Sequence, residues 1–390
     1  MKICATVAEY NPLHLGHLKH INYIKTELGA EKLIVIMSGN FTQRGEPAVL
    51  NKFLRATQAI TAGADVVIEL PTVFATANAE IFAKGAMKII DALGVVDGVC
   101  FGVESGTAQE YIDLAKEMNN ESKEFNRALK EQLDKGYSLA KAKFEAVKSL
   151  GGKADESLIS SPNNILGLEY TKALLALKSD VNIFPMIRTG NHNDKTLKKG
   201  ITSASSIRQA LLNPKTAKKV KGNLPPFVFK QLNGYPTAFD KMIMTCLLTA
   251  RVEDIGKILD CTEGLENRIK ALSKDSRDLQ SLIEKVTTKR YTSSRIRRIL
   301  TANLLGIKGD LVKDALQDQT YAKVLAVSRE EKDLFSLICS NSSIPVLTRK
   351  SDVVSLRRTA NKCFEIDVLA NDLYNLATGG NHNENYTEFI

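Results

Sequence analysis

The first 210 residues alternate short apolar runs, rich in β-branched residues, with longer stretches of helical period. That alternation restricts the chain to βαβ units stacked into a parallel sheet. Ile3-Cys4-Ala5-Thr6-Val7-Ala8 reads as the first strand. Lys32 to Met37, Val66 to Leu70, Gly98 to Gly102 and Val181 to Arg188 read as its successors. Helices are expected over 16–28, stopped by Gly29, from Pro47 through Ile60, from 77 to 93, and from Ser205 to Leu212 ahead of Pro214. Residues 107–150 read as polar helices with Lys-Glu pairings, an insertion flanking the sheet.

Lys215 to Pro236 gathers Lys, Gly, Asn and Pro, a composition that suits a linker. Beyond it the pattern is almost wholly helical, with a polar tail from Gly379. The expected fold is therefore α/β: a Rossmann-like parallel-sheet domain over 1–214, a linker at 215–236, and a mainly helical basic C-terminal region over 237–390. A length of 390 residues accommodates two or three domains. The net charge of +9 is unevenly spread, with 25 Lys and Arg against 23 Asp and Glu in residues 1–210 but 28 against 21 in 211–390. Such asymmetry fits a polyanion held by one part while another does chemistry, although a solvated basic surface explains it as well.

No apolar run approaches the roughly 20 residues of a membrane span. The opening segment turns polar at Glu9, too early for a signal peptide, so a cytoplasmic protein with no membrane partner is expected. Six cysteines without a C-x-x-C spacing point to free thiols rather than disulfides or zinc, and no protein-held metal is expected.

Asn11-Pro12-Leu13-His14-Leu15-Gly16-His17 follows the first strand and enters the first helix, where a parallel sheet presents its ligand crevice. The helix start offers unpaired N–H groups and the positive dipole end, which attract phosphate. Two imidazoles at i and i+3 can face that phosphate, and Gly16 lets a nucleotide approach the backbone. A lone histidine here would be a packing residue; the paired spacing points to function. Downstream, Ser203 and Ser205 can cap a helix and bond phosphate, while Arg208 can grip the β- and γ-phosphates. Taken alone that segment is an N-cap with a helical arginine. Together the two stretches form a site that stabilises departing pyrophosphate without a nucleophile of its own.

The run Lys289-Arg290-Tyr291-Thr292-Ser293-Ser294-Arg295-Ile296-Arg297-Arg298 combines cations with one aromatic ring. Lys289, Arg290, Tyr291, Arg295, Arg297 and Arg298 thus become candidates for RNA phosphates and base stacking. Arg349, Lys350, Arg357 and Arg358 form a second basic cluster. A solvated charged face is the alternative for both.

The His14-x-Gly16-His17 motif and the Thr202-Ser203-Ala204-Ser205-Ser206-Ile207-Arg208 segment resemble the H-x-G-H and I-S-S-T-x-x-R motifs of the nucleotidylyltransferase superfamily, with Ala204 standing where a serine is usual. Longer blocks, Ala8 to His17, Ser38 to Pro47, Ser161 to Gly167 and Lys289 to Arg295, resemble the bacterial tRNA(Met) cytidine acetate ligase family. That resemblance implies an enzyme that forms acetyl-adenylate from acetate and ATP and acetylates N4 of the wobble cytidine of elongator tRNA(Met); the triphosphate chemistry adds the expectation of Mg²⁺. It implies catalytic roles for His14, His17, Ser203 and Arg208. It implies ATP contacts from Val7, Ala8, Glu9, Tyr10, Asn11, Pro12, Leu13, His14, Leu15, Gly16, His17, Leu18, Lys19, His20, Gly102, Asn163 and Arg188, and tRNA contacts from the basic run. The residues leave two other readings open: adenylylation of a small cofactor precursor, and RNA binding without catalysis. A class I aminoacyl-tRNA synthetase is disfavoured because K-M-S-K-S is absent. Nothing in the sequence indicates the oligomeric state.

Overall fold

The computed structural model describes residues 2–119, 122–137, 139–152, 155–188, 197, 200–232, 234–288, 290–380 and 387–390. Five strands, β1 (Ile3–Ala8), β2 (Lys32–Ser38), β3 (Val66–Leu70), β4 (Gly98–Val103) and β5 (Asn182–Ile187), lie parallel in the order β5-β4-β1-β2-β3. Side chains alternate across this sheet, as the strand period requires. Ile34 and Ile36 of β2 enter the core on one face, while Leu33, Val35 and Met37 enter the core on the other. The helices Ala79–Ala92 and Pro162–Leu177 cover the first face; Leu15–Asn22, Lys52–Thr61 and Ala204–Leu211 cover the second. Because β1 has β2 on one side and β4 on the other, the strand order reverses at β1. A crevice opens at the carboxyl ends of β1 and β4.

The C-terminal region is mainly helical, yet it also completes the sheet. β6 (Ala322–Val327) pairs antiparallel with β3, and the short β7 (Val346–Leu347) and β8 (Glu388–Phe389) pair along the other edge of β6. The expectation of an almost wholly helical pattern beyond 236 missed these strands. Six residues interrupted by Lys323 and flanked by helices carry too little period to be told from a buried helical turn.

Residues 215–236, read as a linker, include the helical turns Pro214–Ala217, Lys218–Asn223 and Pro226–Phe229. Val220, Leu224 and Val228 recur every four residues and are buried against the second face. The 107–150 segment likewise buries Tyr111, Leu114, Phe125 and Phe144 in the core rather than lying outside it. The helix expected from Pro47 starts at Lys52, capped by Asn51, whose Oδ1 accepts the Phe53 N–H at 2.8 Å; Pro47 instead bridges to Phe41. Among the described residues no helix is long and apolar enough to cross a membrane, and the cysteines are free thiols.

A buried charge cluster joins the two parts of the chain. Lys52 Nζ donates to both oxygens of Glu69 on β3 at 2.9 Å, and Lys323 Nζ on β6 lies 3.5 Å from the same carboxylate. Beside it, Asp367 of the Arg358–Thr378 helix accepts from the Thr72 N–H at 2.7 Å and from the Tyr321 hydroxyl. Burial, reinforced by Glu69, pushes the Asp367 carboxyl up to about 6; burial and Lys52 push the Lys323 ammonium down to about 7. Burial alone would raise Glu69 as well, but the two ammonium groups outweigh it and hold it ionised. Removing one partner of a buried ion group leaves the others uncompensated. Glu69→Gln is therefore expected to lower the unfolding free energy by about 3–5 kcal/mol, measured as a drop in the urea midpoint; an unchanged midpoint would show that the cluster is dispensable.

Candidate active site

His14 is the N-cap of the Leu15–Asn22 helix. Its Nδ1 accepts the Gly16 N–H at 3.0 Å, and its own N–H donates to Nδ1 of His17 at 3.2 Å. The two imidazoles thus form a reciprocal capping box, with rings stacked at 3.8 Å between centroids and 19° between planes. Because each Nδ1 accepts, this hydrogen-bond network assigns the ring proton of both neutral imidazoles to Nε2. Two N–H donors then stand at the positive end of the helix dipole. Gly16 is required by the cap itself: a Cβ there would lie 2.8 Å from His14 Cε1. That need for ring clearance is more local than the nucleotide approach expected of this glycine.

Desolvation, then the neighbouring His14, Arg188 and His20, pushes the His17 pKa well below its ordinary value. Desolvation and Arg188 push that of His20 down to about 4. His17 and His20 are consequently uncharged at neutral pH, and the cationic side chains that line the site are Lys19, Arg44, Arg188 and Arg208. His20 Nε2 sits 3.3 Å from Cys100 Sγ, against β4.

The crevice is a cavity of about 250 Å³. Val7, Ala8, Glu9, Tyr10 and Asn11 line it from β1 and the turn after it; His14, Gly16, His17, Lys19 and His20 line it from the first helix. Gly102, Asn163, Arg188 and Arg208 converge from the other elements. Pro12, Leu13, Leu15 and Leu18 do not line the cavity, and Leu13 is buried in the core. Gly102 makes room for Arg188: a Cβ there would lie 2.9 Å from Arg188 Cδ, so the arginine stem lies across β4. Asn163 donates from Nδ2 to Glu104 at 2.7 Å.

On the helix Ala204–Leu211, Arg208 Nη1 donates to the Asn11 carbonyl at 2.9 Å, and Arg44 Nη1 donates to Ser205 Oγ at 3.2 Å. Ser203 takes the capping role expected of it but not a place in the cavity lining. Its hydroxyl accepts the Ser206 N–H at 3.1 Å, so the cap turns it inward to the backbone, and it does not line the cavity.

Four residues that organise this site, Arg55, Glu46, Gly45 and Glu104, were given no individual role by the sequence. Arg55, fully buried, donates to the carbonyls of Glu9 at 2.6 Å, Leu50 at 2.9 Å and Ser38 at 3.1 Å, and so ties the ends of β1 and β2 together. Burial lowers its pKa to about 10, which leaves it charged at neutral pH. Glu46 lies 3.6 Å from both Arg208 Nε and Arg297 Nε. Gly45, at φ 70°, rests on the backbone of the Ser293–Leu305 helix, where a Cβ would meet Arg297 C and Arg298 N at 2.5 Å. Glu104 anchors Asn163 and Ser161. An arginine on the apolar face of an otherwise amphipathic helix was the one available signal for Arg55.

The residues expected to meet tRNA lie outside the cavity, and Lys289 is outside the described residues. Arg290 and Tyr291 engage Glu263; Arg295 donates to the Asp260 carbonyl at 2.6 and 2.9 Å with its guanidinium over the Tyr291 ring. Arg297 donates to Gln280 at 2.8 Å, and Arg298, largely covered, approaches the Asp260 carboxylate at 3.9 Å. Most of these cations are therefore braces within the helical region.

The sequence model of the HIGH nucleotidyl transferase family matches residues 1–388. The tRNA(Met) cytidine acetate ligase of Acetivibrio thermocellus is 37% identical, over 96% of this chain and 94% of that one. Its counterpart from Caldanaerobacter subterraneus subsp. tengcongensis is 37% identical, over 97% and 96%.

The chain belongs to the tRNA(Met) cytidine acetate ligase family.

A crystal structure of apo Thermotoga maritima TmcAL shares the family fold, with a TM-score of 0.91 at 30% identity over 97% of this chain and 95% of that one. The same protein bound with alpha-thio ATP gives a TM-score of 0.89.

Two outcomes follow from the cap of this ligase-family chain. Gly16→Ala should raise the ATP dissociation constant about tenfold, the penalty expected of a side chain forced into packed atoms; calorimetry showing unchanged affinity would contradict the ring-clearance argument. His20 has a folded pKa of about 4 against an unfolded value of about 6.5. The unfolded chain therefore takes up protons first, so the His20 contribution to stability is present above pH 6.5 and lost as pH falls toward 4. His20→Gln should flatten that part of the stability profile, and an identical slope in both proteins would refute the assignment.

Proposed function

We propose that the chain activates acetate with ATP and transfers the acetyl group to N4 of the wobble cytidine of elongator tRNA(Met). The observation that carries this reading is that His14, His17 and Arg208 line one cavity at the switch-point crevice, with both Nδ1 atoms taken up by the helix cap. In the first step an acetate oxygen bonds to the α-phosphorus, the bond from that phosphorus to the bridging oxygen of the β-phosphate breaks, and pyrophosphate leaves with the electron pair. The imidazole donors and the helix start stabilise the phosphate charge, and Arg208 receives the leaving group. Neutral imidazoles suit this role, because they donate hydrogen bonds without a proton changing hands.

In the second step the cytidine amine attacks the acetyl carbonyl, AMP leaves, and the amine loses a proton. A mixed anhydride survives until then only if water is excluded. The apolar wall of Phe82, Phe101, Leu166 and Tyr170 in the crevice supports such shielding. The base must be unstacked to enter.

Mg²⁺ enters with the nucleotide as part of the substrate. Among the described residues no group of three His, Cys, Asp or Glu is placed to hold a metal, and Glu9, Glu46 and Glu104 already face donors. Free cysteines and an RNA substrate suit a cytoplasmic setting.

Purified chain, ATP, labelled acetate and elongator tRNA(Met) should yield label in cytidine, with pyrophosphate release stimulated by acetate. His17→Ala should reduce acetate-dependent pyrophosphate exchange about 10²–10³-fold, as loss of a transition-state donor does. Label absent from tRNA but present on a small acceptor would favour the cofactor-precursor reading instead.

A further inference from the structure

One run of exposed cations lies where the sequence suggested only a linker. Residues 195–239 contain no Asp or Glu at all, and the stretch 215–221 carries Lys215, Lys218, Lys219 and Lys221. All four lysines are exposed, and no carboxylate pairs with any of them among the described residues. The contrast with the expected basic run is direct, since Arg290, Arg295, Arg297 and Arg298 are each committed to a protein acceptor.

The lysine segment is also held rigid against the catalytic side. Thr216 Oγ1 donates to the Ala210 carbonyl at 2.6 Å, Asn213 caps Pro214–Ala217, and Val220 is buried beside Ile207 and Leu211. The Ala204–Leu211 helix, which carries Ser205 and Arg208 into the crevice at one end, runs directly into the lysines at the other. Eight helical residues span about 12 Å, so the lysines begin about one short helix away from the Ser205 end. A base inserted in the crevice would bring its flanking phosphates past this surface.

We propose that Lys215, Lys218, Lys219 and Lys221 form a pre-organised ridge that binds the phosphate backbone of the tRNA next to the inserted cytidine. This rests on the reading of tRNA as acceptor and adds to it the surface that holds the RNA. The alternative, a solvated charged face, does not account for 45 consecutive residues without an acid, the longest acid-free stretch of the chain. Ordered lysines that already protrude need little rearrangement to release counterions from a polyanion.

The test compares the full chain with Lys215→Ala, Lys218→Ala, Lys219→Ala and Lys221→Ala combined, and with the corresponding four-fold Lys→Arg variant. Elongator tRNA(Met) affinity is measured over a salt series, and acetate-dependent ATP–pyrophosphate exchange is measured without RNA. The proposal expects the alanine variant to bind at least about tenfold more weakly, with the salt slope shallower by about 0.7–0.9 for each phosphate that the lysines no longer neutralise. It expects pyrophosphate exchange to stay at the wild-type rate and the arginine variant to bind as the wild type does. Unchanged affinity and slope in the alanine variant, while the wild type binds and acetylates tRNA, would overturn the ridge. Weakened binding in a variant whose pyrophosphate exchange has also collapsed would overturn it too, as a folding effect. If affinity falls as expected but neither protein acetylates tRNA, the ridge stands and the acetyl-transfer reading falls. If phosphatidylserine vesicles lose the alanine variant while tRNA does not, the surface is a membrane contact and the proposal is wrong.

Discussion

Everything at the catalytic crevice depends on how two histidines start one helix. Caps are usually made by short oxygen-bearing side chains, which satisfy a backbone donor and contribute little else. Imidazoles in the same positions satisfy the backbone through Nδ1 and carry a second ring nitrogen that such oxygen caps lack. The fold therefore fixes the tautomer as a by-product of ending the loop, and glycine between the rings leaves room for that geometry. A phosphate arriving at this helix meets donors already oriented, with little reorganisation left for the reaction itself.

The scaffold around the cap is held by interactions that cross the whole chain. Arg55 gathers the carbonyls after β1 and β2, so the turn leading to His14 and the loop leading to Gly45 are positioned by one guanidinium. That loop seats on the Ser293–Leu305 helix through the hydrogen bond from Thr301 to the Gly45 carbonyl at 2.9 Å. Glu46 then stands between Arg208 of the crevice and Arg297 of the helical region. With β6 completing the sheet and the Lys52–Glu69–Lys323 cluster beneath it, the C-terminal part is built into the catalytic sheet as one of its edges. The crevice and the helical region are thus held in register through the sheet they share.

The parallel strands were legible because continuous β-branched runs bounded by Gly and Pro have few other readings; β3 falls at Val66–Leu70 as expected. The position of His14 and His17 followed from the same pattern, since strand, loop and helix start are contiguous in sequence. What stayed hidden was non-local. Lys323 made β6 look like part of a helix, and its partner Glu69 lies far away in the chain, so no window could show that the charge was compensated. Arginines near position 295 read as a nucleic-acid surface because composition cannot distinguish an exposed guanidinium from one braced on the Asp260 carbonyl. Ser203 looked like a phosphate ligand because a hydroxyl at a helix start serves equally well as a cap.

The central claim is that His14 and His17 are neutral, carry their ring protons on Nε2, and present those protons to the nucleotide. Imidazole ¹⁵N NMR of the full chain at neutral pH, with and without ATP, measures this directly. Both histidines should show protonated Nε2 and unprotonated Nδ1 before ATP is added, and the two Nε2 resonances should shift on binding while the tautomer stays the same. Imidazolium signals, protons on Nδ1, or Nε2 resonances indifferent to ATP would contradict the account.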